Sequence, residues 1–167
     1  MTTKVKIPVA ALTLSASALV ALFVHEGYTG EAVIPTKGDV PTNGFGSTTR
    51  EDGAPVQLGD KTDPVRAAKR TLAYTQQAEG RIKRCLTAPL TQGEFDLYMN
   101  FSYQYGTGAF CKNIAPKLNA GDYIGSCKKL LEFRFVAGYD CSTPGNKRCY
   151  GVWTRQLERY QTCMEEQ

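Results

Sequence analysis

Between Ile7 and Val24 the chain runs for 18 residues without a charged side chain, with Lys4 and Lys6 just ahead of it. As one helix this run would be about 27 Å long, close to the hydrocarbon thickness of a bilayer. No other stretch of the 167 residues approaches it, so several membrane spans are excluded. The run is only weakly apolar. Pro8, Thr13, Ser15 and Ser17 interrupt a series of alanines, which makes insertion marginal. Two lysines before the run, with no Lys or Arg just after it, predict an N-in, C-out orientation. Three readings compete: a signal peptide cleaved near Ala16-Ser17-Ala18, a permanent anchor, and a weakly held anchor able to leave the membrane. A buried core helix is disfavoured because the run has no polar face. Both anchored readings place the remaining chain outside the cytoplasm.

Beyond that segment the chain is nearly neutral. Residues 26–167 carry 18 basic against 16 acidic side chains, a balance of +2, and lack the basic clusters of a nucleic-acid binder. Cys85, Cys111, Cys127, Cys141, Cys149 and Cys163 all lie in the C-terminal half. With no C-x-x-C spacing and a single His, they point away from a metal site and toward disulfides in an exported domain. A monomer without a cofactor is expected. Cys141 and Cys149 flank a turn-rich Ser-Thr-Pro-Gly-Asn-Lys-Arg loop and are the first expected pair. Cys111 with Cys127, and Cys85 with Cys163, follow as guesses from joining consecutive helices and tying down the last one.

Residues 26–60 are rich in Gly, Pro, Thr and Asp and read as a β-hairpin or three-strand sheet, with turns at Lys37-Gly38-Asp39 and Asn43-Gly44. Thr62-Asp63-Pro64 signals a helix start, continuing from Val65 to about Lys83. Thr91 and Glu94 form a capping-box pattern ahead of Phe95, Leu97, Tyr98, Met99, Phe101 and Tyr105, a broad apolar surface suited to a central core helix that Gly106–Gly108 should end. Short helices are expected near 113–118 and 121–134, and a last one near 151–165. The class is α+β, a small sheet lobe followed by a larger helical lobe.

Glu26 is the first acidic residue and directly follows the apolar run. A carboxylic acid at a helix end, facing a sheet with a second carboxylate and a hydroxyl, is equipment for glycoside cleavage: one group protonates the leaving oxygen and another positions a water. Around it stand His25-Glu26-Gly27-Tyr28, Ala32-Val33-Ile34-Pro35 and Gly38-Asp39-Val40-Pro41-Thr42-Asn43-Gly44-Phe45-Gly46. This series resembles the active-site segment of phage-type lysozymes (glycoside hydrolase family 24), and more narrowly endolysins with an N-terminal signal-arrest-release segment. Leu90–Asp96, Gly106–Cys111, Lys117–Asp122 and Gly151–Glu158 extend the resemblance along the chain, with Gln156 where a second Arg is frequent.

The resemblance implies a lysozyme-like fold with an N-terminal membrane-inserting helix, peptidoglycan glycan strands as substrate, Glu26 as general acid and Thr42 holding the attacking water. It also exposes a gap. Pro35 occupies the position of the usual second carboxylate, and the Glu-to-Thr spacing is one residue longer than usual. Asp39 is the candidate replacement, with Thr36 and Glu31 as alternatives. A lytic transglycosylase using Glu26 alone, or a silent wall-binding domain, would also accommodate the gap. As an acid near neutral pH, Glu26 is expected in a partly desolvated site. His25 and Trp153 read as structural, while Arg155 and Arg159 face either anionic peptide stems or solvent.

The expected division is residues 1–25 as the signal-arrest-release segment and 26–167 as the catalytic part, moving from the host inner membrane (through residues 7–24) to the periplasm. While the run is in lipid, Glu26 is pinned at the membrane surface. Replacing Ala16 and Ala18 by leucine is therefore expected to retain the chain in the membrane and delay lysis of expressing cells, followed as culture turbidity; unchanged timing would refute this.

Overall fold

The computed structural model of the protein describes residues 4–35 and 38–167. Thr36, and Lys37 of the expected turn, lie outside the described residues. The chain forms two compact units, one made of the segment ending at Thr13 together with Glu79–Gln167, the other of Leu14–Ala78.

The Leu14–Ala78 unit opens with α1 (Ala16–Glu26). Ser15 starts this helix: its backbone is extended and its hydroxyl accepts the Ala18 N–H at 3.1 Å. Gly27, at φ +68°, ends it by donating to the Phe23 carbonyl. The uncharged run is thus not one helix. Val9–Ala11 form a single 3₁₀ turn behind Pro8, Leu12 is extended, and the chain re-enters helix only after Ser15. Among the described residues, no helix is long and apolar enough to cross a membrane, so the expected membrane-inserting helix is not part of this fold. The physical reason is local. Pro8 has no N–H to give, and Ser15 offers a side-chain acceptor that favours a new helix start over continuation.

After α1 come β1 (Thr29–Val33) and β2 (Thr42–Gly44), antiparallel, with Thr29 opposite Gly44 and Val33 opposite Thr42. Five β1 residues against three on β2 require an irregular register between those pairs. Among the described residues the expected third strand is represented by isolated bridges, Glu31 with Lys61 and Thr49 with Pro55. The long connection is tied by Arg50, which donates to both carboxylate oxygens of Asp60 at 2.6 and 2.8 Å, while the Gln57 amide donates to the same carboxylate. Asp63 then caps α2 (Pro64–Cys85) by accepting the Arg66 N–H at 2.9 Å, with Pro64 as first residue, as expected.

In the other unit, α3 (Gln92–Tyr105) carries both hydrogen bonds of the Thr91–Glu94 capping box. Phe95, Tyr98 and Phe101 are fully buried, so the aromatic set is core as expected. Burial pushes the Tyr98 phenol upward, and its hydroxyl pairs with Ser126 at 2.8 Å. Gly106 ends α3, but it also opens α4 (Thr107–Asn113) at once, a helix the Gly-rich stretch concealed. Next come α5 (Ala115–Asn119) and α6 (Tyr123–Leu130), the latter capped by Asp122 and ending before the predicted residue 134. A two-residue hairpin, β3 (Phe135–Val136) and β4 (Tyr139–Asp140), turns through Ala137 and Gly138, both at positive φ. The final helix is α7 (Tyr150–Glu165). On it Arg159 is not a solvated side chain: its guanidinium donates to Asn100, Gln104 and Gln156.

Three disulfides close this unit: Cys85–Cys111, Cys127–Cys163 and Cys141–Cys149. The small loop is as expected. The pairings of Cys111 with Cys127 and of Cys85 with Cys163 are both wrong. The last helix packs on α6, which brings Cys163 to Cys127, while Cys85 at the end of α2 meets Cys111 on α4. Adjacency in sequence was the wrong guide, because α5 intervenes between the helices carrying Cys111 and Cys127.

The Arg50–Asp60 pair has a consequence for acid stability. The hydrogen bond from Arg50, and then the Gln57 amide, hold the Asp60 carboxyl below its ordinary value. A depressed native value stabilises the fold above the unfolded-state value and is lost as pH falls through the native one. Asp60→Asn should therefore flatten the acid limb of a urea-unfolding series run from about pH 7 to about pH 2, modestly because the pair is partly exposed.

Candidate active site

Glu26 is the last residue of α1, and the chain leaves that helix through Gly27 in a left-handed conformation only glycine adopts without strain. The end of α1 is fastened to the segment after Thr42. Phe23 stacks on Phe45 with ring centroids 4.3 Å apart, and Tyr28 meets the same ring at 5.6 Å. Tyr28 is fixed in turn by its hydroxyl, which donates to the Thr62 carbonyl at 2.8 Å. Phe23 and Phe45 also border an apolar groove of about 490 Å³ together with Leu19, Val65, Ala68 and Leu72. Since Leu22 is the one α1 residue that is buried, the stack does much of the fastening.

The glycines of Thr42-Asn43-Gly44-Phe45-Gly46 have separate physical reasons. Asn43 and Ser47 exchange backbone hydrogen bonds across the turn. Gly44 sits at φ +65°, and a Cβ there would lie 2.8 Å from the Ala67 Cβ and 2.9 Å from Arg70 Nη2, so the turn lies directly against α2. Gly46 sits at φ +75°, and its absent Cβ leaves room for Glu26, whose Oε2 would be 3.2 Å from that atom. Arg70 reaches from α2 to the Asn43 side-chain oxygen at 2.6 Å, clamping a residue that is 2% exposed.

The structure therefore brings Glu26 to the turn that follows Thr42. Thr42 itself is half-buried at the start of β2. Asp39 is exposed, and one carboxylate oxygen accepts the Val40 N–H at 2.8 Å, an engagement that shapes the loop. Glu31 is exposed on β1. Glu26 is exposed as well, so the partly desolvated site expected for it is not present in the free protein. Among the described residues, no group of three or more His, Cys, Asp or Glu side chains could hold a metal ion. Sequence reading missed the Phe23–Phe45 stack and the Arg70–Asn43 clamp. Phe45 lies inside the motif and was visible there, but nothing near Arg70 signalled a partner 27 residues away.

Comparison with known proteins gives consistent results. A family model described as phage lysozyme matches residues 24–165. The SAR-endolysin of Escherichia phage N15 is 32% identical over 122 residues, 70% of this chain and 68% of that protein. The SAR-endolysin of Escherichia phage 933W is 28% identical over 110 residues, 65% of this chain and 62% of its own length, so that match spans less than two thirds of the relative. Among solved structures, an endolysin from Escherichia coli O157:H7 phage FAHEc1 has the same fold, with a TM-score of 0.76 at 24% identity over 94% of this chain and 96% of that one.

Gly44→Ala should destabilise the Leu14–Ala78 unit by at least the roughly 1–2 kcal/mol of a left-handed alanine, because the Ala67 contact adds to it. Denaturant unfolding checks this, and an unchanged midpoint would contradict the close approach to α2.

Proposed function

The chain belongs to the phage lysozyme family and is a muramidase-type peptidoglycan hydrolase, and from that premise we propose that Glu26 is its general acid and Thr42 holds the attacking water. The observation that carries the assignment is the seating of the Glu26 carboxylate against Gly46, at the end of a turn that begins one residue after Thr42. The scissile bond is the β-1,4 link between N-acetylmuramic acid and N-acetylglucosamine. Glu26 gives its proton to the glycosidic oxygen, while a water oriented by the Thr42 hydroxyl attacks the anomeric carbon from the opposite face. Carbonyls clustered at a helix C-terminus favour a carboxyl that carries its proton, and a bound glycan strand supplies the desolvation lacking in the free protein. Asp39 has the secondary role. With one oxygen on the Val40 amide, it shapes the loop leading to Thr42 and offers its negative charge to the developing oxocarbenium ion.

The N-terminal segment controls when this happens. Residues 7–24 first insert with the N-terminus in the cytoplasm, so that Glu26 lies at the membrane surface and α1 cannot be fastened by Phe45. Leaving the lipid, the segment takes up the short turn and α1, and the enzyme acts in the periplasm as a monomer. On this division residues 1–25 are the signal-arrest-release segment and 26–167 the catalytic part. The exposure of Val20 and Val24, at 59% and 77%, fits a helix whose residues serve two environments. Hydrolysis of the wall then ends in lysis of the host.

Mass analysis of digested peptidoglycan tests the assignment. Wild type should yield reducing muropeptides, and Glu26→Gln should lose about 10²–10⁴-fold of the rate with unfolding unchanged. Thr42→Ala should lose less, and Asp39→Asn least. Anhydro products, or full activity in Glu26→Gln, would overturn it.

A further inference from the structure

The two lysines ahead of the apolar run end on carboxylates. Lys6 Nζ pairs with Glu94 Oε1, and Lys4 Nζ with Glu166 Oε1. The Glu94 side chain is 0% exposed, an unusual setting for a carboxylate unless its charge is met. Its other oxygen is occupied by the capping box, accepting the Thr91 N–H at 2.8 Å, and Gln167 Nε2 donates to Oε1 at 2.9 Å. Among the described residues, the cation that reaches Glu94 is Lys6. The same ammonium lies 3.8 Å from the centre of the Tyr123 ring, so carboxylate and aromatic face meet it together.

The neighbouring Glu166 has a built position too. Its Oε2 accepts the Thr91 hydroxyl, and the absence of a side chain at Gly93 makes room for it: a Cβ there would lie 2.5 Å from the Glu166 carboxylate. Backbone pairing completes the arrangement. Ile7 and Leu90 exchange N–H···O bonds of 2.8 and 3.0 Å, setting the strand that carries both lysines beside the start of α3.

We propose that Glu94, Glu166 and the Tyr123 ring form a receptor site for the chain's own Lys4 and Lys6, and that occupation of this site holds the N-terminal segment out of the membrane after release. The proposal rests on the membrane-to-periplasm reading above. In the inserted form both lysines lie on the cytoplasmic side, across the bilayer from Glu94 and Glu166. The charges that orient the segment are therefore the ones that pair in the released fold. Inserted and released forms compete for the same two ammonium groups, and Glu94 has its cation only in the second.

The test uses the oxidised full-length chain carrying Glu94→Gln and Glu166→Gln together. Gln at this position of a capping box preserves the helix start while removing the charge, and both lysines stay in place. Gly93→Ala is the second variant. It alters no charge and suits a helix, but places a methyl where the Glu166 carboxylate lies. The first readout is trypsin cleavage after Lys4 and Lys6 in soluble protein, well below the unfolding midpoint. Cleavage should accelerate at least about tenfold in the double variant and several-fold in Gly93→Ala. The second is the membrane-bound fraction in cells after the membrane potential is dissipated, which should rise several-fold in the variants. Unchanged cleavage would overturn the receptor site. Faster cleavage with unchanged partition would overturn its role in holding the released form. A wild type that never leaves the membrane would instead overturn the release reading, while the cleavage arm still reports on the site.

Discussion

The position of Glu26 depends above all on one contact, the stacking of Phe23 on Phe45. It joins the last turn of α1 to the turn after Thr42, and so decides where the Glu26 carboxylate sits. The helix has little else to hold it, with Leu22 its buried residue, and its own propensity over 11 residues is too little for stability in water. Glu26 therefore sits at the turn only when α1 is docked, and under the proposed function this ties the acid to the position of the N-terminal segment.

Under the release reading proposed above, that segment must satisfy two solvents: in lipid 18 uncharged residues in unbroken helix, in water a surface that does not expose them all. In the fold the run is broken. Pro8 and Ser15 delimit a short turn and an extended link, which bury Val9 and Leu12, and only the remainder becomes α1. Pro8 and Ser15 are also among the residues that make the run only weakly apolar.

The two glycines after Thr42 illustrate how a motif encodes close approach. Gly44 lets the turn lie against Ala67 on α2, and Gly46 leaves space for the acid. Each also takes a backbone conformation that other residues adopt at a cost. Beyond Pro35, one carboxylate oxygen of Asp39 accepts the Val40 N–H.

Sequence by itself determined the features that rest on neighbours a few residues apart: the Thr91–Glu94 box, the Asp63–Pro64 start, the Cys141–Cys149 loop and the core helix. Each is a local bonding or spacing rule, legible without knowing the fold, whereas Glu26 and Thr42 are singled out by the family resemblance. Tertiary structure alone decided the partners of Cys85, Cys111, Cys127 and Cys163, the Arg70–Asn43 clamp, and the division of the apolar run into turn, link and helix. It also decided that Lys4 and Lys6 end on Glu166 and Glu94, 162 and 88 residues away. Such pairings follow from which helix faces pack together, a choice made by the summed burial of many side chains, to which no short window of sequence has access.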